Sequence, residues 1–311
     1  MPDPNPIKQT RAILQALLVT FLWSTSWVLI KFGLDEIPAL TFAGLRYTLA
    51  FLILLVVFLR SGQVTVLRQQ TGRKWLRLAA LGVVFYAVTQ GTQFLALALL
   101  PAITLSLMLN LSAPLVALFS IPMLKEPPTR LQWVGIGLFL VGVGVYFYPH
   151  LLPEGQALGM LVAGISVLAT SLGSIIGRGF NRSADVPPLT VTVVSMGIGS
   201  LLLLVTGLAV EPAPTLGWEQ WGIVVWLALV NTAFAFTLWN RTLQVLSATE
   251  STMINNTMLV QIAVLAWLFL GERPGVKEVV GMAVVTAATM LVTWRPKERT
   301  GTSPASKGMP D

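Results

Sequence analysis

The sequence predicts an all-α integral membrane protein whose ten transmembrane helices form two inverted five-helix repeats. Three observations carry this prediction: a composition poor in charge, ten apolar stretches of membrane-spanning length, and a match between the two halves of the chain. Hydrophobic residues make up 55% of the 311 residues, and charged residues make up 11%. Soluble globular proteins carry about 25% charged residues, so the charge in this chain cannot cover the surface of a soluble protein of its size.

Ten stretches of roughly 20 apolar residues, the length that crosses the hydrocarbon core, account for most of the chain. The predicted helices, numbered first to tenth, run over residues 11–32, 38–60, 75–97, 101–124, 128–149, 156–177, 187–209, 219–242, 248–270 and 274–294. The polar ends 1–10 and 295–311 are predicted to be cytoplasmic tails. The first repeat is therefore predicted at 11–149 and the second at 155–294.

Two of the links place a glutamate shortly before a proline that opens the next helix. These are Glu126 before Pro128 and Glu272 before Pro274. A proline at the first helical position costs no hydrogen bond, and a carboxylate there faces the positive end of the helix dipole. We therefore expect both glutamates to stabilise the start of the helix that follows them.

The distribution of Lys and Arg predicts the orientation in the membrane. With the N-terminus inside, 16 of the 20 basic residues fall in inner segments and three in outer ones. Cytoplasmic loops carry an excess of Lys and Arg, so both termini are predicted to be cytoplasmic in a bacterial inner membrane. The same excess accounts for the net charge of +7 without a nucleic-acid partner.

The chain contains no Cys and a single His, which excludes a thiolate metal site and cysteine redox chemistry. His150 lies in a predicted outer loop, where a Ser-His triad is not credible. We expect no metal and no cofactor. The expected partners are the lipid bilayer and a small-molecule substrate, and the protein is expected to be a monomer.

An internal repeat appears when the chain is aligned with itself at an offset of 146. Residues 75–148 then match 221–294 without a gap, and the pairs include Asn110 with Asn256 and Glu126 with Glu272. Each copy holds five helices, and an odd number makes the second copy enter the membrane from the opposite side. Inverted repeats of this kind are common in secondary transporters, where two similar bundles rock about a central site.

Several short motifs of the chain resemble the EamA repeat, found in the ten-helix members of the drug/metabolite transporter superfamily. They are Leu95-Ala96-Leu97 leading to Pro101-Ala102, Leu111-Ser112-Ala113-Pro114-Leu115, Leu124-Lys125-Glu126-Pro127-Pro128, Trp133-Val134-Gly135, Pro38 followed by Arg46, and Leu270-Gly271-Glu272. The resemblance covers about 11–294 and implies a carrier, commonly an exporter of amino acids or other small metabolites. It also implies a cavity lined mainly by helices 1, 3, 4, 6, 8 and 9.

Polar side chains deep in membrane helices are costly and usually face the bundle interior or a cavity. In the third helix such residues share one face at i, i+3, i+4 and i+7, and the equivalent face of the eighth helix is aromatic. The candidate substrate-binding residues are Trp23, Ser26, Tyr86, Gln90, Gln93, Ser106, Asn110, Phe236, Trp239 and Asn256. For each polar residue, interhelical hydrogen bonding and packing are the alternative.

Charged residues near these faces are candidates for a gate or for coupling. Arg46 is predicted about 12 Å below the outer end of the second helix, from a rise of about 1.5 Å per residue. It could attract a substrate carboxylate, but pairing with helix-end carbonyls, which would hold the fold, is the favoured interpretation. Arg241 and Glu250 flank the link between the eighth and ninth helices and could pair, but stabilisation of the helix start by Glu250 through the helix dipole is the favoured interpretation.

The two asparagines at equivalent repeat positions are predicted to differ. Pro114 leaves the carbonyl of Asn110 without its helical partner and predicts a kink in the fourth helix, whereas Val260 occupies the equivalent place in the ninth. We therefore expect replacement of Asn110 to weaken substrate affinity more than replacement of Asn256.

Amides, hydroxyls and aromatic rings with little fixed charge suit a zwitterion, so the sequence and the resemblance favour export of small amphipathic metabolites by alternating access. Amino acids, including aromatic ones, are the favoured substrates; another metabolite or a drug-like cation is the alternative. An intramembrane enzyme is disfavoured because the predicted helices contain no Asp or His and no Glu near the middle of the membrane. A channel would need rings of carbonyls or charges, and the inverted repeat argues against a channel.

Overall fold

The computed structural model describes residues 6–124, 127–148, 155–183, 186–242, 245–246 and 248–293. This part of the chain consists of helices and short links. The long helices are α1 Pro6–Gly33, α2 Ala39–Arg60, α3 Gly72–Leu99, α4 Ala102–Asn110 continued by Ser112–Leu124, α5 Arg130–Phe147, α6 Ala157–Ser183, α7 Pro188–Val210, α8 Trp218–Ala228 continued through Leu229–Phe234 to Ala235–Thr242, α9 Ala248–Leu270 and α10 Val276–Thr293. A short helix, Val64–Arg68, joins α2 to α3.

The fold class predicted from the sequence is confirmed: the protein is an all-α membrane protein of ten helices in two inverted repeats. Eight helices are long and apolar enough to cross a membrane by length and composition, and Ile254–Leu270 in α9 is a shorter apolar helix. The bounds agree with the predicted ones to within a few residues, except that α1 begins at Pro6, inside the segment predicted as a tail.

Large apolar side chains cover the outside of the bundle. Leu140 of α5, Val205 of α7 and Phe269 of α9 are each more than half exposed. A soluble monomer rarely exposes apolar surface on this scale, whereas lipid tails cover it at no cost. The exposed faces of the helices are therefore the faces expected to contact the bilayer.

The two repeats are joined by two close helix pairs, α2 with α7 and α5 with α10. A Cβ added at Gly44 of α2 would lie 2.5 Å from Cα of Leu204, and one at Gly142 of α5 would lie 2.9 Å from the backbone N of Val285. Helices can approach this closely only where one of them has no side chain. Gly135 of α5 is in the same situation, because a Cβ there would lie 2.9 Å from the backbone N of Val292.

A π-helical segment interrupts the same place in both repeats. The segment is Gly82–Val88 in α3 and Leu229–Phe234 in α8, and the offset of 146 maps 82–88 onto 228–234. A threonine hydroxyl donates to a carbonyl five residues earlier at both segments: Thr89, which follows the first segment, donates to Val84 at 2.9 Å, and Thr232, inside the second, donates to Leu227 at 2.8 Å. Single-turn π segments inside α-helices are frequent at functional sites, and they shift the face on which the preceding residues lie.

The kink predicted in the fourth helix is confirmed. α4 is interrupted at Leu111, whose N–H donates to the carbonyl of Met108 instead of continuing the α-helical pattern. α9, which has Val260 where α4 has Pro114, continues without a break from Ala248 to Leu270. The ring of Pro114 removes the N–H that an unbroken α4 would need.

The role expected for Glu272 was wrong, because its carboxylate stabilises a different helix. Oε1 accepts a hydrogen bond from the backbone N–H of Ala102 at 2.6 Å, and Oε2 accepts one from Ile103 at 2.9 Å. Glu272 therefore binds the free N–H groups at the start of α4, not those of α10. Glu126, its repeat counterpart, lies outside the described residues.

Side chains also join the helix ends of the α2–α7 pair. At one end the carboxylate of Glu211 accepts from the backbone N–H groups of Leu40 and Thr41 and from the hydroxyl of Thr41, the last at 2.8 Å. At the other end the hydroxyl of Thr190 donates to Oε1 of Gln63 at 2.9 Å. A threonine hydroxyl thus donates a hydrogen bond at each end of the pair, to a charged acceptor from Thr41 and to a neutral one from Thr190.

Candidate functional site

A cavity of about 480 Å³ lies in the centre of the bundle, within the range of about 300–1,000 Å³ typical of small-molecule sites. Helices from both repeats line it: α1, α2, α3 and α4 from the first repeat, and α6, α8, α9 and α10 from the second. Its lining residues are Trp23, Ser26, Trp27, Ile30, Arg46, Tyr47, Phe85, Thr89, Gln90, Gln93, Phe94, Ser106, Leu109, Asn110, Ser112, Ala113, Thr170, Asn231, Phe236, Asn255, Asn256, Met258, Leu259, Ile262 and Thr289.

Eight of the ten residues predicted to bind substrate line this cavity. They are Trp23, Ser26, Gln90, Gln93, Ser106, Asn110, Phe236 and Asn256. Arg46 lines it as well. Arg241 does not: its side chain is exposed near the end of α8. The side chain of Glu250 lies outside the described part of the chain, so its pairing with Arg241 and its role at the helix start stay predictions.

The structure places Tyr86 away from the cavity, against the expectation. Tyr86 is buried between helices, with its ring 5.4 Å from that of Phe85 and 6.1 Å from that of Tyr47. Phe85 takes its place in the lining. The reason is the π segment, which adds a residue to the turn before Thr89 and rotates the preceding side chains about the helix axis.

Trp239 also lies outside the lining. The ring of Trp23 packs against both Phe236 and Trp239, with 5.3 Å between ring centroids in each case. Of the two α8 aromatics, only Phe236 reaches the cavity. The aromatic wall is therefore formed by Trp23 and Phe236, and Trp239 supports Trp23 from the other side.

Asn231, in the π segment of α8, is a cavity residue that the sequence reasoning missed. Its side chain is fully buried, and Nδ2 lies within hydrogen-bond reach of the carbonyl of Leu22, the hydroxyl of Thr25 at 3.2 Å and the hydroxyl of Ser26 at 2.9 Å. Its Oδ1 has no hydrogen-bond partner within the described residues. An asparagine in the middle of an apolar helix was itself a signal, but its repeat counterpart is Phe85, so the repeat comparison did not select it.

Arg46 lies in the cavity wall without a counter-charge. Its side chain is 5% exposed, its Nε donates to the hydroxyl of Thr232 at 3.2 Å, and its guanidinium carbon lies 5.2 Å from the ring centroid of Tyr47. No carboxylate among the described residues pairs with it, and it makes no bond to a helix-end carbonyl. The helix-end carbonyls expected as partners of Arg46 are therefore not among its contacts in the described residues, and the structural role favoured for it stays a prediction.

Tyr47 connects Arg46 to the amide wall. Its hydroxyl donates to Oε1 of Gln90 at 2.6 Å, which fixes the orientation of that amide at the cavity surface. The polar groups of α2 and α3 are thus positioned by one another. Such networks hold their members in one geometry, which is what a binding site requires.

The side chains of the two repeat-related asparagines differ in their hydrogen bonds. Nδ2 of Asn110 donates to the carbonyl of Ser106 in its own helix at 2.8 Å. Asn256 is 8% exposed, and its Nδ2 has no hydrogen-bond partner within the described residues. The amide of Asn110 is therefore held by its own helix, whereas Asn256 has a buried donor without a partner among the described residues, and the effect of each asparagine on substrate affinity stays a prediction.

The chain matches the EamA-like transporter family over residues 10–148 and 157–294, one match for each half of the bundle. It belongs to that family, and so to the drug/metabolite transporter superfamily. The repeats, the central cavity and the family together establish a multi-pass membrane transporter. The family resemblance read from the sequence motifs is confirmed.

Two sequence relatives match this transporter over most of its length, and one solved structure has a similar fold. An uncharacterized transporter of Archaeoglobus fulgidus is 25% identical over 286 residues, which cover 89% of this chain and 95% of that protein. The uncharacterized transporter YoaV of Bacillus subtilis is 21% identical over 91% of this chain and 97% of its own length. A crystal structure of a protein with 21% sequence identity superposes with a TM-score of 0.65 over 92% of this chain and 98% of that chain, a likeness that shows the fold alone.

Proposed function

We propose that this transporter exports small amphipathic metabolites, with amino acids, including aromatic ones, as its substrates. The observation that carries the proposal is the division of the cavity between a polar and an aromatic wall. Gln90 and Gln93 present amides on α3, and Trp23 and Phe236 present rings on α1 and α8. An amino acid offers a polar head to the first wall and an apolar side chain to the second.

The charge of the cavity disfavours the drug-like cation that the sequence left open. Its lining contains the guanidinium of Arg46 and, among the described residues, no carboxylate. A cation in that space would meet repulsion without a counter-charge, whereas a zwitterion brings its own carboxylate. We therefore propose neutral amino acids ahead of cationic compounds.

Alternating access is the mechanism that the inverted repeats support. The central cavity is bounded by helices of both halves, so a rocking motion of one half against the other opens it to either side in turn. The paired π segments of α3 and α8 provide equivalent irregular backbone on both sides of the cavity. A channel would need no such pair of related halves.

Transport by the purified protein in liposomes tests the proposal. We expect labelled neutral amino acids to enter with a saturable rate and to show counterflow, with empty liposomes as the control. A panel with nucleosides and sugars tests the substrate class. Saturable flux of those compounds in place of amino acids would overturn the substrate, and flux linear in concentration without counterflow would overturn the carrier.

The direction of transport and the topology need measurements in cells. We propose residence in a bacterial inner membrane with both termini cytoplasmic, from the excess of Lys and Arg in the predicted inner segments. C-terminal fusions to a cytoplasmic and to a periplasmic reporter distinguish the two orientations. Overproduction should lower the cellular content of a preloaded amino acid, and a raised content would contradict export.

A further inference from the structure

We infer that Arg46 selects substrates by their carboxylate and is the main specificity determinant of the cavity. This inference rests on the proposed amino acid transport and names the group of the substrate that the site recognises. Arg46 is the cation of the described cavity lining, it is 5% exposed, and no described carboxylate neutralises it. A buried charge without a partner is costly, so a functional counter-charge is expected where the protein supplies none.

The contacts of Arg46 leave its outer edge available to a ligand. Nε donates to the hydroxyl of Thr232, and the flat face of the guanidinium lies over the ring of Tyr47. The two Nη groups make no hydrogen bond to the described residues. Two parallel N–H donors at the edge of a fixed guanidinium match the two oxygens of a carboxylate.

Asn231, next in sequence to the threonine that holds Arg46, has an acceptor atom without a partner among the described residues. Asn231 directly precedes Thr232, the residue that holds Nε of Arg46, and Asn231 lines the same cavity. Its Nδ2 is directed to α1 by bonds to Leu22 and Ser26, which leaves Oδ1 as the acceptor without a partner. The cavity that contains the donor edge of Arg46 thus also contains an amide with a buried acceptor that has no partner among the described residues.

Four compounds with the same phenyl group separate the carboxylate from the ammonium: phenylalanine, 3-phenylpropionate, phenethylamine and phenylalaninamide. The measurement is their inhibition of labelled amino acid counterflow in liposomes. We expect phenylalanine to inhibit best and 3-phenylpropionate next, because both bring a carboxylate to Arg46. Phenethylamine and phenylalaninamide, which lack it, should inhibit weakly.

Arg46→Gln then tests the residue itself. We expect the KM for phenylalanine to rise about tenfold or more, the size expected for a lost hydrogen bond to a charged group. Inhibition by phenethylamine should not weaken and should strengthen, because the charge that repels its ammonium is gone. The order of the four inhibitors should therefore flatten. A folded Arg46→Gln protein that keeps the wild-type order would overturn the inference.

Arg46→Lys keeps the charge and serves where Arg46→Gln does not fold. It lacks the planar pair of donors, so we expect weaker binding of the two carboxylates and no change for the two compounds without one. An equal loss for all four compounds would mean that Arg46 only holds the fold. Thr232→Val is the matched control: it removes the contact to Nε and should give a smaller shift in the same direction.

Thermal stabilisation separates this inference from the proposed function. The melting temperature in detergent with each of the four compounds reports binding without transport. Amino acid transport with an unchanged inhibitor order in Arg46→Gln would defeat the inference alone. Absence of amino acid transport in the wild type would defeat the proposed function, and stabilisation by 3-phenylpropionate that Arg46→Gln abolishes would still support the carboxylate site.

Discussion

α3 and α8 occupy equivalent places in the two repeats and share their backbone geometry, yet they present different chemistry to the cavity. Both contain a π segment at the same repeat position, and a threonine hydroxyl bonds to a carbonyl five residues earlier in each. At the next turn α3 presents Gln90 and α8 presents Phe236. In the proposed mechanism the backbone similarity serves the motion between two states, and the side-chain difference gives the substrate one orientation.

The comparison extends to how tightly each π segment is packed. In α3 the segment begins at Gly82, where an added Cβ would lie 2.5 Å from the carbonyl oxygen of Ser195 in α7. Its counterpart in α8 is Ala228, which carries a Cβ and is fully buried. The first repeat therefore depends on glycine at this crossing, and the second does not.

The largest effect is expected from adding a methyl group at the α3–α7 crossing. A Cβ at Gly199 would lie 2.1 Å from the carbonyl oxygen of Gly82 and 2.5 Å from Cβ of Tyr86, so Gly199→Ala forces the two backbones apart. We expect a loss of at least about 3 kcal/mol, the upper end for overpacked sites, and a low yield of folded protein. The measurement is the melting temperature in detergent.

Gly164→Ala in α6 is the matched control for that variant. A Cβ there would meet nothing within 4 Å, so the same substitution should be tolerated. Equal melting temperatures for the two variants would show that the crossing of α3 and α7 can relax, and that the asymmetry between the π segments is not energetic.

The next effect concerns the asparagines of α4 and α9. Asn256→Leu removes a buried donor that lacks a partner, so we expect the free energy of unfolding to rise by about 1–3 kcal/mol while transport falls. Asn110→Leu removes an amide already bonded to Ser106 and should change transport less. Melting temperatures and KM values for both variants test this, and a larger rise in KM for Asn110→Leu would restore the order expected from Pro114.

The two walls of the cavity should respond to different parts of the substrate. Gln90→Leu removes the amide that Tyr47 holds, and we expect the KM to rise about two- to tenfold for every amino acid. Phe236→Leu should raise it several-fold for aromatic substrates only, because it removes a ring contact worth about 0.5–1.5 kcal/mol. The measurement is the KM for phenylalanine beside that for leucine or alanine.

Tyr86→Phe provides the control for the polar wall, since Tyr86 lies outside the cavity. Its KM should equal that of the wild type. A rise in KM for Tyr86→Phe similar to that for Gln90→Leu would mean that the hydrogen-bonded face extends along α3 as the i, i+3, i+4 spacing predicted.

The smallest difference is expected between two variants at opposite ends of the α2–α7 pair. Thr41→Val loses a hydrogen bond to the carboxylate of Glu211, worth about 1.5–3 kcal/mol, and Thr190→Val loses one to the neutral amide of Gln63, worth about 0.5–1.5 kcal/mol. Both threonines are almost fully buried, so the substitutions are matched. Unfolding measurements should show the larger loss for Thr41→Val, and equal losses would remove the distinction between the two ends.

The sequence predicted many of the cavity residues because polar side chains in membrane helices are costly in lipid and usually face the bundle interior or a cavity. Ser106, Gln90 and Asn256 were selected on that ground, and each lines the cavity. The kink of α4 followed from the missing N–H of Pro114. The close approach at Gly142 followed from the absence of a side chain.

Other features depended on contacts between segments far apart in the chain. The carboxylate of Glu272 can bind the start of any helix within reach, and only the packed bundle brings α4 nearer to it than α10. No repeating pattern in the sequence reveals the π segment of α3. Regular α-helical spacing therefore predicted Tyr86 on the cavity face, where the structure has Phe85. Each of these differences arose where the regular helix ends or changes its pitch.

The sequence by itself therefore determined the number of helices, their repeat and the family of this transporter, because hydrophobic length and self-similarity are properties of the chain alone. The tertiary structure decided which polar groups are already paired and which remain for a ligand. Nδ2 of Asn110 is bonded within its helix, whereas Nδ2 of Asn256 and the Nη groups of Arg46 have no partner among the described residues. That distinction depends on distances of a few ångströms between helices, which no pattern within one helix encodes.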